Sequence, residues 1–181
     1  MSVAVEQIDR VQTLVASFER IARESMCGLP FYNEALSVEA VGFERIGDGW
    51  LGVLITPWFM NLMLVSDQPI PYAEAANGKK RSVELPGGPV QFLCGGTEDF
   101  GMFDAHSIAS PMDVHKSQDQ ARAAARLALA RADAAAGRVG ASSAGGASRR
   151  FAKNPLQFCR AAAKLRVFEL IPRALGAAQP R

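Results

Sequence analysis

The chain has 181 residues, 49% of them hydrophobic and 21% charged, a length and composition that suit a single sizeable core. Its charge is unevenly placed: residues 1–136 hold 17 acidic and 11 basic side chains, a net of −6, whereas residues 137–181 set nine bases against Glu169, a net of +8. Cys27, Cys94 and Cys159 are odd in number, far apart and without a CxxC, which excludes a disulfide framework and a zinc ribbon.

From Val5 to Met26, Ile8, Val11, Val15, Phe18 and Ala22 recur at spacings of three and four, with Leu14 and Ile21 widening the stripe. This predicts an amphipathic helix, stopped by Gly28 and Pro30. The opening MSVAVEQIDRV puts Glu6 and Asp9 where a secretory signal needs a basic start and an apolar run. A reducing, cytoplasmic location is therefore expected.

Ser37–Ile46 reads as a strand, with Val41 and Phe43 alternating with small or polar neighbours. Asp48-Gly49 then predicts a tight hairpin into a returning strand over residues 50–56. Leu51, Val53 and Ile55 point to one face and Trp50, Gly52 and Leu54 to the other, so this strand is expected at the centre of a sheet. Trp50–Ser66 runs uncharged for 17 residues. A membrane helix usually needs about 18 or more apolar residues, and Pro57 and Asn61 interrupt this run, so no stable membrane insertion is expected. Pro57 lacks a donor for the ladder and should break the strand, exposing Trp58, Phe59 and Met60 before pairing resumes over Asn61–Val65.

Residues 66–78 form a proline-rich loop with one helical turn. Lys79–Leu85 and Val90–Cys94 flank Pro86-Gly87-Gly88-Pro89 as a second hairpin, and Gly101–Ala109 is a further strand closed by Ser110-Pro111. Ser117 and Gln120 match a capping box ahead of an alanine-rich helix over residues 121–136. The Gly/Ser/Ala-rich segment 137–150 is expected to be a flexible linker. Residues 151–181 form a basic tail in which Leu156, Cys159, Ala163, Val167 and Ile171 are spaced as an amphipathic helix.

Chemical motifs are sparse. Gly78-Lys79-Lys80 lacks the upstream glycine and the following hydroxyl of a phosphate loop, and there is no GxGxxG. Asp104, His106 and a cysteine could meet as a metal site, and Cys94 with His106 could form a nucleophile and base, but no ligand spacing or nucleophile elbow accompanies either. The basic tail follows an acidic body that would repel a polyanion, so nucleic acid is not expected as a partner. Ser148-Arg149-Arg150-Phe151 echoes a twin-arginine signal but lies near the C-terminal end of the sequence.

Two strings carry a family resemblance: GLPFYNEALSVEAVGF (28–43) and TPWFMNL (56–62), supported by Glu84-Leu85-Pro86, Phe92 and SIASPM (107–112). Over residues 5–136 the chain resembles the HybE/HupJ/HoxT family of nickel-iron hydrogenase assembly chaperones. The resemblance implies a cytoplasmic accessory protein without catalytic activity or cofactor. Its partner is expected to be the hydrogenase small subunit precursor, through its twin-arginine signal, or the large subunit. In some systems relatives work beside a rubredoxin-like protein while the small subunit acquires its iron-sulfur clusters. The competing reading is a metal-handling or enzymatic factor in cluster insertion.

Three expectations follow. The fold is α+β, a mostly antiparallel sheet of about five or six strands covered by the N-terminal helix and the alanine-rich helix. The domain spans 1–136, followed by the linker 137–150 and the tail 151–181. Pro57, Trp58, Phe59, Met60 and Asn61 are the candidate partner-binding residues, weighed against a plain core corner.

Overall fold

A computed structural model describes residues 3–133. Helix α1 (Val3–Ile21) runs on through a π-helical turn (Ala22–Met26). Six strands follow: β1 (Glu39–Ile46), β2 (Gly49–Ile55), β3 (Met60–Ser66), β4 (Lys80–Leu85), β5 (Gly88–Thr97) and β6 (Gly101–Ala109). A 3₁₀ turn (Glu74–Ala76) sits in the loop before β4, and helix α2 (Gln118–Asp133) closes the described chain. All five strand pairings are antiparallel, in the order β1-β2-β3-β6-β5-β4. The expected α+β architecture is thus realised. The linker 137–150, the tail 151–181 and the last turn of the alanine-rich helix lie outside the described residues.

The two helices take opposite faces of the sheet. Leu14, Phe18, Ala22 and Met26 of the first helical segment bury against Trp50, Leu54, Met63, Val65, Phe100 and Phe103. Ala121, Ala125 and Ala132 of α2 bury against Leu51, Val53, Ile55, Leu62, Leu64 and Phe92. The small side chains let α2 approach the strands closely, so that the Ala132 carbonyl accepts from the Gly87 amide at 2.6 Å. The alternation read from β2 therefore sorts its residues correctly, and every one of them is buried because a helix covers each face.

Local geometry corrects three details. The first hairpin closes on Ile46 and Gly49, so its two loop residues are Gly47 and Asp48 rather than Asp48 and Gly49. Gly47, at φ +59, supplies the positive φ that such a loop demands at its first position. A bulge between Val41 and Glu44 interrupts β1, with Gly42 at φ +60. It swings the Phe43 ring across Gly52 of β2, where any Cβ would meet the ring and the Phe43 backbone. The Ser117 hydroxyl accepts from the Gln120 amide at 3.3 Å, but the Gln120 side chain reaches back to the Lys116 amide (2.8 Å) instead of that of Ser117. Among the described residues no helix is long and apolar enough to cross a membrane.

Candidate functional site

Strands β2 and β3 are joined by Thr56–Phe59, and this corner is built around the Thr56 side chain. Its Oγ1 accepts from the amides of Phe59 (2.9 Å) and Trp58 (3.3 Å) and lies 2.9 Å from the Phe59 carbonyl, which also accepts from the Thr56 amide at 2.8 Å. A hydroxyl at this position satisfies the backbone groups that Pro57 prevents from joining the ladder.

The corner folds inward, contrary to the expected exposure of Trp58, Phe59 and Met60. Pro57 is buried, Trp58 keeps 9% of its surface and Met60 none. The ladder already resumes at Met60, opposite Ile55, which drives the Met60 side chain into the α2 side of the core. Trp58 is covered by Tyr32, stacked at 6.3 Å and 22°, and its carbonyl accepts from the Ser110 hydroxyl. Phe59 stands edge-on to both Trp58 and Phe18, with ring centroids 5.6 Å away in each case, and remains half-buried. Such edge-to-face pairs add about 0.5–1.5 kcal/mol beyond the area they bury. Asn61 lies on the α1 side of β3, between Leu54 and Ser107 of the flanking strands. Its Oδ1 is shut off from solvent and has no hydrogen-bond partner among the described residues.

Asn33 ties this corner to two other loops. Its amide donates to the Pro57 carbonyl (2.9 Å), and its Nδ2 donates to the carbonyls of Met112 (2.9 Å) and His115 (2.7 Å). Its Oδ1 accepts from the Ala35 amide at 3.0 Å. Three stretches that are remote in sequence, 28–36, 56–61 and 107–116, thereby meet at one end of the sheet. The surface they form carries half-buried Leu29, Phe31, Tyr32 and Phe59, and Val114 stands 68% exposed in the adjoining loop. Glu24, Glu34 and Asp113 are exposed on the same segments or on the helical turn leading into them. Sequence reasoning gave no role to Asn33, Tyr32 or Val114, although Asn33 and Tyr32 stand inside the string that carries the resemblance.

The chemical candidates resolve differently. Cys94 and Asp104 are direct cross-strand neighbours on β5 and β6, and His106 follows two residues along β6. Burial raises the Asp104 pKa, and the Arg81 guanidinium, ion-paired with it, acts in the opposite direction. His106 Nδ1 lies 2.8 Å from the Gln91 carbonyl, and its ring meets Phe92 edge-on. Both polar groups are thus committed to protein partners. Among the described residues no three His, Cys, Asp or Glu side chains are grouped to hold a metal ion.

The model of one protein family, described as NiFe-hydrogenase assembly, chaperone, HybE, matches residues 9–152. The hydrogenase expression/formation protein HupJ of Bradyrhizobium diazoefficiens is 37% identical over 117 residues, which are 65% of this chain and 68% of that protein. A protein of Rhodobacter capsulatus named probable rubredoxin HupJ is 36% identical over 120 residues, 66% of this chain but 43% of its own length. The solution structure of HybE from Escherichia coli superposes with a TM-score of 0.54 at 23% identity, covering 80% of this chain and 93% of that one. That likeness shows a shared fold.

Proposed function

The chain belongs to the HybE family of nickel-iron hydrogenase assembly chaperones, and on that premise we propose that it holds the precursor of an uptake hydrogenase in the cytoplasm before export. Its client is the small subunit precursor, gripped through the apolar stretch of its twin-arginine signal, with the large subunit as a second client in the same assembly. Holding the small subunit would protect it while iron-sulfur clusters are inserted. The rubredoxin in the name of the Rhodobacter capsulatus relative supports a rubredoxin-like accessory protein as a further partner.

One observation carries this reading. The stretches that bear the family strings meet through Asn33, and there half-buried Leu29, Phe31, Tyr32 and Phe59 pack into one apolar cluster, while Val114, Glu24, Glu34 and Asp113 are exposed on the same stretches or on the helical turn before them. Aromatic side chains at the edge of a rigid support suit an apolar peptide, and nearby acids favour its arginines. Within the segment 57–61, the client contact is assigned to the half-buried Phe59 ring, and Asn61, whose Oδ1 is shut off from solvent, holds the corner's shape together with the buried Pro57, Trp58 and Met60. The test is co-purification of hydrogenase precursor, with and without its signal sequence, by Phe59→Ala and Val114→Glu variants that unfold at the wild-type temperature. Loss of capture is expected. Full capture by both folded variants refutes the corner as the contact, and capture indifferent to the signal sequence refutes signal recognition.

A further inference from the structure

Strand β1 forms one edge of the sheet, and among the described residues no strand pairs with its outer side. Along its first half lies a cavity of about 590 Å³, bounded by Glu39–Gly42 on one wall and by Asp119, Arg122, Arg126 and Leu129 of α2 on the other. Its lining is mixed, with Ala40, Val41, Gly42 and Leu129 beside Glu39, Asp119, Arg122 and Arg126. Val41 is buried there, and the Leu129 side chain lies so close over Gly42 that a Cβ on that residue would come within 2.6 Å of Leu129 Cδ1. The bulge starts after Val41, so one regular run, Glu39–Val41, borders this cavity, and regular pairing resumes over Glu44–Ile46 beyond it.

The charges lining the cavity are unequally satisfied. Glu39 accepts from Arg122 Nε at 2.8 and 3.0 Å and from Gln118 Nε2 at 2.6 Å, and Arg122 Nη1 donates to Asp119 at 2.7 Å. Arg126, one helical turn along from Arg122, acts on the Glu39 carboxylate through charge alone and makes no hydrogen bond or close ion pair among the described residues. An open strand edge offers backbone donors and acceptors to an extended chain. A guanidinium beside it favours a carboxylate, for which its fork of N–H donors is shaped.

We propose that β1 is a strand-addition site for a short, extended, acidic peptide segment of a partner protein. The added segment pairs with the edge along Glu39–Val41, sets an apolar side chain over Val41 and Leu129, and places a carboxylate on Arg126. This chemistry is the opposite in charge of an arginine-bearing signal, so the site is distinct from the aromatic corner and does not depend on the client assigned to that corner.

The experiment titrates the isotopically labelled full chain with two blocked probe peptides, one alternating valine and glutamate and the other valine and lysine, and follows the backbone amide resonances. Shifts confined to residues 39–42 and 119–129 are expected with the glutamate probe. Arg126→Ala, an exposed substitution, should weaken that binding about tenfold, the loss of one charge-assisted hydrogen bond. Equal binding of the lysine probe, shifts at residues 56–61 in place of the edge, no shift at millimolar peptide, or unchanged affinity in Arg126→Ala would each overturn the assignment.

Discussion

Asn33→Ala tests whether the aromatic corner is a built site or a fortuitous meeting of loops. The substitution removes two bonds donated by Nδ2, at 2.9 and 2.7 Å, and one accepted by Oδ1 at 3.0 Å, and it leaves the amide bond to Pro57 intact. At a net worth of about 1 kcal/mol for each hydrogen bond, the loss comes to about 3 kcal/mol. The side chain is only half-buried, so water recovers part of this and about 2 kcal/mol is the expected figure. Asn33→Asp separates hydrogen-bond chemistry from shape. It keeps the acceptor for Ala35 but turns a carboxylate oxygen toward two carbonyls, and it should be less stable than Asn33→Ala. Urea unfolding with an unchanged slope measures both, and amide exchange should quicken over residues 111–117 before it does in the first helix. Capture of the hydrogenase precursor should fall in parallel. An Asp variant as stable as the Ala variant, or an Ala variant within about 0.5 kcal/mol of wild type, refutes the clamp.

Two further substitutions probe how the sheet is held. Arg81→Met strands the Asp104 carboxylate, whose side chain is only 4% exposed, and should cost about 3 kcal/mol near neutral pH. Burial already raises the Asp104 pKa and Arg81 opposes it, so without Arg81 the pKa climbs further. A raised carboxyl pKa penalises the fold as pH rises through it, so the loss should shrink as the pH is lowered, and Asp104→Leu should rescue Arg81→Met. A loss in urea unfolding that does not vary with pH would contradict this account. Gly52→Ala drives a methyl into the Phe43 ring and should cost about 1–3 kcal/mol by thermal unfolding. Adding Phe43→Leu should restore part of that loss, and a neutral Gly52→Ala would show that the bulge yields freely.

Much of the fold was legible because strands declare themselves locally. The period-two alternation of β2 assigned Leu51, Val53 and Ile55 to one core and Trp50 and Leu54 to the other, as the packing has it. The bounds read for β6, Gly101–Ala109, coincide with the strand. The strand order was not legible. β3 pairs with β6 across the whole second hairpin, a long-range closure for which neither partner carries a local signal. The inward turn of the corner was hidden for the same reason. Pro57 announces a break, but whether Trp58 then faces water or protein is decided by Tyr32 and Ser110, from distant loops. Asn33 reads as an ordinary loop residue because the carbonyls it binds lie 79 and 82 positions away.

The inward fold of the corner also constrains how it can recognise anything. Thr56 and Asn33 occupy the backbone groups of Thr56–Phe59, so the corner offers a partner no strand edge to extend. Recognition there has to run through side chains at the rim. An apolar grip of this kind tolerates variation in the bound sequence, which suits an apolar stretch better than a fixed motif. The edge that β1 leaves without a strand partner among the described residues is the converse. Its affinity would come from main-chain hydrogen bonds, and its selectivity from Val41, Leu129 and Arg126. Because Glu39 pairs with Ile55, immediately before the corner, the two surfaces lie near the same end of the sheet, a side-chain grip and a main-chain edge joined by one strand pairing. That proximity would let an assembly chaperone hold an apolar segment and an acidic segment of its partners side by side.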